Sequence, residues 1–328
     1  MNALLASPAR VTVGIACYNA RDTIARAVAS AAAQDWPDLE ILVVDDASSD
    51  GSAEAARAAL AGVNGGRLIV RPANGGVAAA RNTLLAEATG HYIVFFDDDD
   101  ESAPERVAVQ VARIEAEPQD GVPVLCFATG ARRYPNGYEV QADAIGSRGR
   151  APSGEEMLAY LLVNDRAPDA FYGAGVPSCA LMAPVAALGA AGGYDEALGR
   201  VEDVDLALRM ALANARFVGC PERLYLQHAT QGSDKTPACN LAAELRVVEK
   251  HCEWLMARGL YRHARGWFCF REAWFARRRV EALARAALLF AAMPRLTLRR
   301  LRQSGPARLT HERSMQRAPG KARHEDPL

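Results

Sequence analysis

Through the first hundred residues, short apolar bursts rich in Val and Ile alternate with alanine-rich stretches of helical spacing. That alternation marks βα units and a largely parallel sheet. It predicts short buried strands at Val11 to Ala16, Glu40 to Val44, Arg67 to Val70 and His91 to Phe96. Helices are expected between them, near Asp22 to Ala33, Ser52 to Ala61 and Val77 to Ala88. The first two strands run into polar residues, Tyr18-Asn19 and Asp45-Asp46, before their helices begin. In an open parallel sheet the carboxyl ends of the strands are where ligands bind.

Beyond Pro104 the pattern loosens into an Ala/Val helix to about Glu117, an apolar strand Val122 to Ala128 and a Gly/Arg/Pro-rich stretch from Gly130 to Ser153. A helix over Glu155 to Val163 and a Gly/Pro/Ser-rich loop at Gly173 to Ser178 follow. Gly192-Gly193-Tyr194-Asp195 is a turn signal, and an amphipathic helix starts at about Glu202. Downstream, Leu241, Leu245, Val248, Cys252 and Leu255 recur at helical spacing, as do Trp267, Phe270 and Trp274. No internal repeat is visible. The expected organisation is an α/β domain at 1–239, a basic amphipathic helical extension at 240–305 and a disordered tail at 306–328.

Charge sharpens that division. The formal net charge of -1 hides 19 Lys+Arg against 8 Asp+Glu from Asn240 onward, and 19 against 31 before it. An acidic body is thus joined to a basic tail. At 328 residues, with 50% hydrophobic and 23% charged, the composition is that of a soluble globular protein. Seven scattered cysteines without a C-x-x-C pair suggest neither a zinc ribbon nor a disulfide framework, and fit a reducing, cytoplasmic setting. No apolar run reaches the roughly 18 residues of a membrane span, and the N-terminal stretch is too short for a secretory signal.

The most pointed chemistry is Asp97-Asp98-Asp99-Asp100, set directly after the apolar Tyr92 to Phe96. Like charges a few ångströms apart raise one another's pKa unless a cation neutralises them, and a hard divalent ion with oxygen ligands does this best. In an extended segment residues i and i+2 point the same way, so Asp97 and Asp99 are expected to address one ion or ligand together. A second acidic end, Asp45-Asp46-Ala47-Ser48-Ser49-Asp50-Gly51, reads equally as turn and cap chemistry or as binding. The glycine loops that cradle phosphates are absent: Cys17-Tyr18-Asn19-Ala20-Arg21 stands where a dinucleotide fold needs G-x-G-x-x-G, and no G-x-x-x-x-G-K-[ST] occurs. The charge of a bound nucleoside diphosphate would therefore be balanced by a metal held by the strand-end aspartates.

Together these fragments resemble the family two glycosyltransferases of the GT-A fold. The resemblance runs from Val11 to about Ser233. It rests on Val-Gly-Ile-Ala-Cys-Tyr-Asn in the first strand, Val-Val-Asp-Asp-Ala-Ser-Ser-Asp-Gly-Ser at the second, and Asn74-Gly75-Gly76 with Ala80-Arg81-Asn82. It continues in Tyr-Ile-Val-Phe-Phe-Asp-Asp-Asp-Asp, then Gly-Gly-Tyr-Asp-Glu followed by Glu202-Asp203-Val204-Asp205-Leu206. The resemblance implies a Rossmann-like, mostly parallel mixed sheet flanked by helices, here with a C-terminal helical extension. It implies inverting transfer of a sugar from a nucleoside diphosphate sugar, a UDP-sugar first, to a carbohydrate or lipid-linked acceptor hydroxyl. Ala16, Tyr18 and Asp46 would line the nucleobase pocket, with Asp46 accepting from the base and Arg81 near the nucleotide. Asp97, Asp98 and Asp99 match the D-x-D element: Asp97 is expected near ribose or metal, and Asp99 as direct ligand of Mn²⁺ or Mg²⁺. Asp203 matches the general base.

Asp203 also stands on its own residues, because inverting transfer needs one carboxylate near the acceptor hydroxyl and a helix N-terminus favours a carboxylate there. The plainer reading is that Glu202 and Asp203 complement the helix dipole while Asp205 pairs with Arg209. The Gly173 to Ala183 loop would face the acceptor or serve as an ordinary connection, and His228 would approach phosphate or metal or be structural. A nucleotidyltransferase, or a silent nucleotide-sugar-binding scaffold, is the alternative function. For the basic tail two readings stand: helices that cover the catalytic domain, or peripheral attachment to the inner face of an anionic membrane through Arg277 to Arg302. No nucleic-acid motif accompanies the charge, so no nucleic acid is expected as partner.

Overall fold

In the computed structural model, which describes residues 8–229 and 237–303, the Val/Ile bursts are buried strands. β1 (Val11–Cys17) lies between β2 (Leu39–Asp45) and β4 (Tyr92–Asp97), both parallel to it, with Val11 opposite Leu39 on one side and Tyr92 on the other. β3 (Gly66–Val70) adds to β2 in parallel. Near-continuous apolar runs are what strands covered on both faces require. The helices α1 (Ile24–Ala32), α2 (Ser52–Leu60) and α3 (Gly76–Glu87) alternate with these strands, so the carboxyl ends of β1, β2 and β4 share one edge of the sheet.

After β4 the sheet becomes mixed. β5 (Glu101–Ser102), α4 (Arg106–Glu115), β6 (Val124–Arg133), β7 (Glu139–Ala142) and α5 (Gly154–Val163) come first. A 3₁₀ turn (Ser178–Ala180), β8 (Leu181–Pro184), α6 (Val185–Ala190), α7 (Glu202–Leu212) and β9 (Arg216–His228) follow. The strand order is β3-β2-β1-β4-β8-β6-β9-β5, with β7 beside β6, and β8 runs antiparallel to both β4 and β6. Neither β8 nor β9 is announced by periodicity. β8 is four residues long, and β9 carries the exposed Pro221, Glu222 and Arg223 in its middle.

The chain forms two units. One runs to Ala131 and takes in Gln141–Met157 and Ala167–Gln227; the other comprises Arg132–Val140, Leu158–Arg166 and the stretch from His228 on. The division thus falls at His228 where composition suggested residue 240, and two short segments of the α/β stretch belong with the second unit. That unit's helices are α8 (Pro237–Lys250), α9 (Cys252–Ala257), α10 (Tyr261–Phe275), α11 (Arg279–Ala292) and a helical stretch at 294–303. α10 packs against both α8 and α11, burying Val248, Ala264, Trp267 and Leu289. Trp274, at helical spacing from Trp267, is 44% exposed. The expected disordered tail at 306–328 lies outside the described residues.

Candidate active site

The parallel register places Cys17 beside Asp45 and Ala16 beside Asp97, so the polar ends of β1, β2 and β4 meet in one row. Much of the second acidic stretch sews the first two loops together. Asp45 accepts from the Ser48 amide at 3.0 Å, Asn19 Oδ1 from the Ser49 amide at 3.0 Å, and Asp50 from the amides of Arg21 and Ser52. Asp46, only 2% exposed, accepts from the Arg71 guanidinium and from the amides of Gly75 and Gly76 at the start of α3. The turn and cap reading of this stretch is the observed one, and it fixes the orientation of Asp46.

The four aspartates do not continue the strand. β4 ends at Asp97, Asp98 and Asp99 form a turn, and the Asp100 amide bonds back to the Asp97 carbonyl at 3.4 Å. Side-chain alternation stops there, so the i, i+2 pairing of Asp97 with Asp99 loses its premise. The turn instead gathers i and i+3: oxygens of Asp97 and Asp100 and the sulfur of Cys179 all lie within 4.8 Å of one another. The Asp99 backbone carbonyl accepts from Arg26. Asp98 caps the end of β1, its Oδ2 accepting the Tyr18 amide at 2.9 Å, while the Tyr18 ring stays 51% exposed.

Crowded carboxylates in a buried setting resist ionisation. Burial raises Asp97 above the usual carboxylate range, with Arg81 opposing it and Asp99 adding to it. Asp98 is pushed up to about 7 by burial, against the Tyr18 amide and reinforced by Asp97 and Asp99. Burial also pushes the Cys179 thiol well up, and Asp97 and Asp100 add to the effect. This donor set suits a hard divalent cation through the two carboxylates. A thiol held protonated is a poor ligand for Mn²⁺ or Mg²⁺.

Arg81, on α3, joins the strand ends to α7. Its guanidinium donates to Glu202 at 2.7 Å, lies 3.6 Å from Asp97 and sits 5.4 Å from the centre of the Tyr194 ring. Burial would lower its pKa, yet Tyr194, Asp97, Glu202 and Asp203 raise it overall. The next residue, Asn82, holds the chain entering α7: its Oδ1 accepts the Tyr194 amide at 2.7 Å, and its Nδ2 donates to the Tyr194 carbonyl and to Glu196. Gly193, at φ +66°, must be glycine here, because a Cβ would lie 2.5 Å from Asn82 Oδ1. Asp205 is fully buried and accepts from Arg209 at 2.9 Å; Arg209 in turn donates to the carbonyls of Ala191 and Gly193. The structural reading of Asp205 is therefore the observed one.

Asp203 stands in the first turn of α7, entered through Val201 at φ +57°. Its Oδ1 accepts the Val204 amide at 2.8 Å. Burial and the Glu202 charge push it up to about 6, against Arg81 and the local amides. His228 ends β9 and is half-buried. In the Gly173 to Ala183 loop, Ser178 shares a hydrogen bond with the Tyr194 hydroxyl at 2.9 Å.

One residue that sequence reading passed over is Arg106. Fully buried at the start of α4, it donates to the carbonyls of Phe95 and Cys179, to Ser102 and to Gln110, and lies over the Phe96 ring. A cation thus props the chain on both sides of the acidic turn. Its signal was Arg106 and Gln110 at i, i+4 beside the apolar stripe Val107, Val111 and Ile114.

Residues 12–164 match the family model described as Glycosyl transferase family 2. The matched stretch is a little under half of the chain and is similar to that family. Among similar proteins, succinoglycan biosynthesis protein ExoU of Rhizobium meliloti is 48% identical over 82 residues, 25% of the chain and 23% of the relative. ExoO of the same organism is 40% identical over 108 residues, 32% and 30% of the two. The chain therefore spans less than a third of the length of these curated relatives. Among solved structures, S. aureus TarS 1-349 in complex with UDP-GlcNAc superposes with a TM-score of 0.62 at 17% identity, over 88% of this chain and 82% of that one. The mannosyltransferase PcManGT from Pyrobaculum calidifontis, in complex with GDP-Man and Mn²⁺, gives 0.53 at 21% identity, over 94% and 84%. The fold is the GT-A architecture that the sequence resemblance implied. None of the described helices is long and apolar enough to cross a membrane.

Proposed function

We propose that this chain transfers a sugar from a nucleoside diphosphate sugar to an acceptor hydroxyl with inversion at the anomeric carbon. The observation that carries the reading is the Arg81 bridge, which ties Asp97 at the strand ends to Glu202 beside Asp203. The donor-side carboxylates and the candidate base are thereby held in one rigid network. Ala16, Tyr18 and Asp46 line the base pocket, and Arg81, Asp97 and Asp98 flank the nucleotide sugar. Asp97 and Asp100 would hold Mn²⁺ or Mg²⁺, with Asp99 of the same turn the ligand that the resemblance implies, and the ion would neutralise the diphosphate. Asp203 takes the proton of the acceptor hydroxyl as that oxygen bonds to the anomeric carbon and the diphosphate departs with the bonding pair. A carboxylate titrating near 6 suits a base working near neutrality.

TarS was solved with UDP-GlcNAc and PcManGT with GDP-Man, so nucleoside diphosphate sugars are the donors to test, uridine first. The succinoglycan biosynthesis proteins support a carbohydrate or lipid-linked acceptor in polysaccharide assembly. Cytoplasmic action is part of the same reading and rests on seven scattered cysteines without a C-x-x-C pair.

The test is calorimetric titration of UDP- and GDP-sugars with and without Mn²⁺, alongside transfer assays, on wild type, Asp99→Ala and Asp203→Asn. We expect metal-dependent binding that Asp99→Ala weakens and Asp203→Asn spares, with transfer lost in Asp203→Asn and the product anomer inverted by NMR. Unchanged turnover in both variants, or a retained anomer, sinks the mechanism.

A further inference from the structure

The outward face of α11 is apolar where a solvent-facing helix should be polar. Val280 is 84% exposed, Leu283 65% and Leu288 71%, and Ala284, Ala287 and Ala291 lie exposed on the same stripe. The opposite face already buries Ala282 and Leu289, so packing within the second unit does not account for the outer one. A helix apolar on both sides has a second apolar phase to meet.

The surroundings identify that phase. Arg277 precedes the helix, Arg279 is its first residue and Arg295 follows it, all exposed and without an ion pair among the described residues. Arginines at a helix N-terminus oppose the helix dipole, so they serve something other than helix stability. The half-exposed Trp274 at the end of α10 stacks under the Arg279 guanidinium, 4.3 Å away, and Phe275 beside it is also exposed. Apolar side chains flanked by cations and interfacial aromatics form the pattern of a helix lying in the plane of a bilayer surface. Its 14 residues extend about 21 Å, too short to span.

We propose that α11 docks on an anionic lipid surface, inserting Val280, Leu283 and Leu288 while Arg277, Arg279 and Arg295 meet lipid phosphates. A second copy of the chain is the poorer occupant, because a face pairing with itself would set unpaired arginines against arginines. This inference is independent of the catalytic reading.

Flotation of the full chain with vesicles tests it, comparing phosphatidylcholine alone with an equal mixture of phosphatidylcholine and phosphatidylglycerol. Binding is expected only to the anionic vesicles, and it should weaken as salt rises. The double variant Leu283→Glu with Leu288→Glu, at exposed positions, should keep its melting temperature and its catalytic activity on a soluble acceptor while losing at least about tenfold in vesicle affinity. Arg277→Gln and Arg295→Gln should each cost about fivefold. The proposal falls if wild type ignores anionic vesicles, or if the Glu variant binds them undiminished. It also falls if sedimentation shows a dimer that the Glu variant dissolves.

Discussion

Two buried arginines show how differently the two units use the same side chain. Arg81 in the first unit is surrounded by Asp97, Glu202 and the Tyr194 ring, and its pKa rises despite burial. Arg300 in the second lies over the rings of Trp267 and Phe268, and burial together with the Arg271 charge lowers it to about 9. At neutral pH both stay charged. The first is an electrostatic tie that fixes where acids point; the second lies flat against two aromatic rings. The contrast teaches that a guanidinium set among carboxylates orients acidic groups, whereas one set over aromatic rings packs against their faces.

The sharpest way to break this contrast begins at Asp203. Asp203→Asn should reduce turnover by about 10²- to 10⁴-fold, the range of general-base catalysis, yet leave the melting temperature unchanged or higher. The sign follows from the pKa: a carboxyl raised from 3.8 to about 6 on folding destabilises the native state at neutral pH, and that penalty disappears when the charge is removed. In wild type, kcat/KM should fall as pH drops through about 6, because protonation removes the base. A flat profile through that range would mean that another group accepts the proton.

Stability measurements sharpen the arginine comparison itself. Arg81→Met leaves Asp97 and Glu202 facing each other without their cation and should cost about 3–5 kcal/mol in denaturant unfolding. Arg300→Met, which keeps an apolar side chain against the rings, should cost about 1–2 kcal/mol. Equal losses would erase the distinction drawn between the two units.

A smaller effect is expected from His263. It is buried, with Nε2 3.1 Å from the Thr297 hydroxyl, and burial with the Arg300 charge lowers it from 6.5 to about 4. A histidine depressed on folding contributes stability that is present above its unfolded pKa and lost as pH falls through the folded value. The second unit should therefore weaken between about pH 6.5 and 4, by up to about 3 kcal/mol. His263→Gln should flatten that slope. The smallest effect belongs to the exposed Arg150, paired with Glu156 and Asp169: Arg150→Gln should leave the melting temperature unchanged.

Much of the first unit was legible because its information is local. Val11 to Ala16 and His91 to Phe96 are apolar runs that can only be covered strands, and the acidic residues after them mark the ligand edge without any knowledge of neighbours. β8 and β9 were not legible, since four apolar residues and a strand interrupted by Pro221-Glu222-Arg223 carry no period of their own. The division at His228 was also hidden, because Arg132–Val140 and Leu158–Arg166 group with the second unit by contact and not by composition.

The sequence alone determined the strand and helix order through α3, the acidic strand ends, the absence of phosphate-binding glycine loops and the presence of a basic helical extension. These follow from periodicity, composition and residue spacing along the chain. Tertiary structure decided which acids meet. A turn at Asp98 and Asp99 gathers Asp97 with Asp100 and Cys179, Arg81 reaches across 121 positions to Glu202, and Asp46 is taken up by the start of α3. Those contacts join groups distant in sequence through the sheet register and buried cations, and no local pattern encodes them.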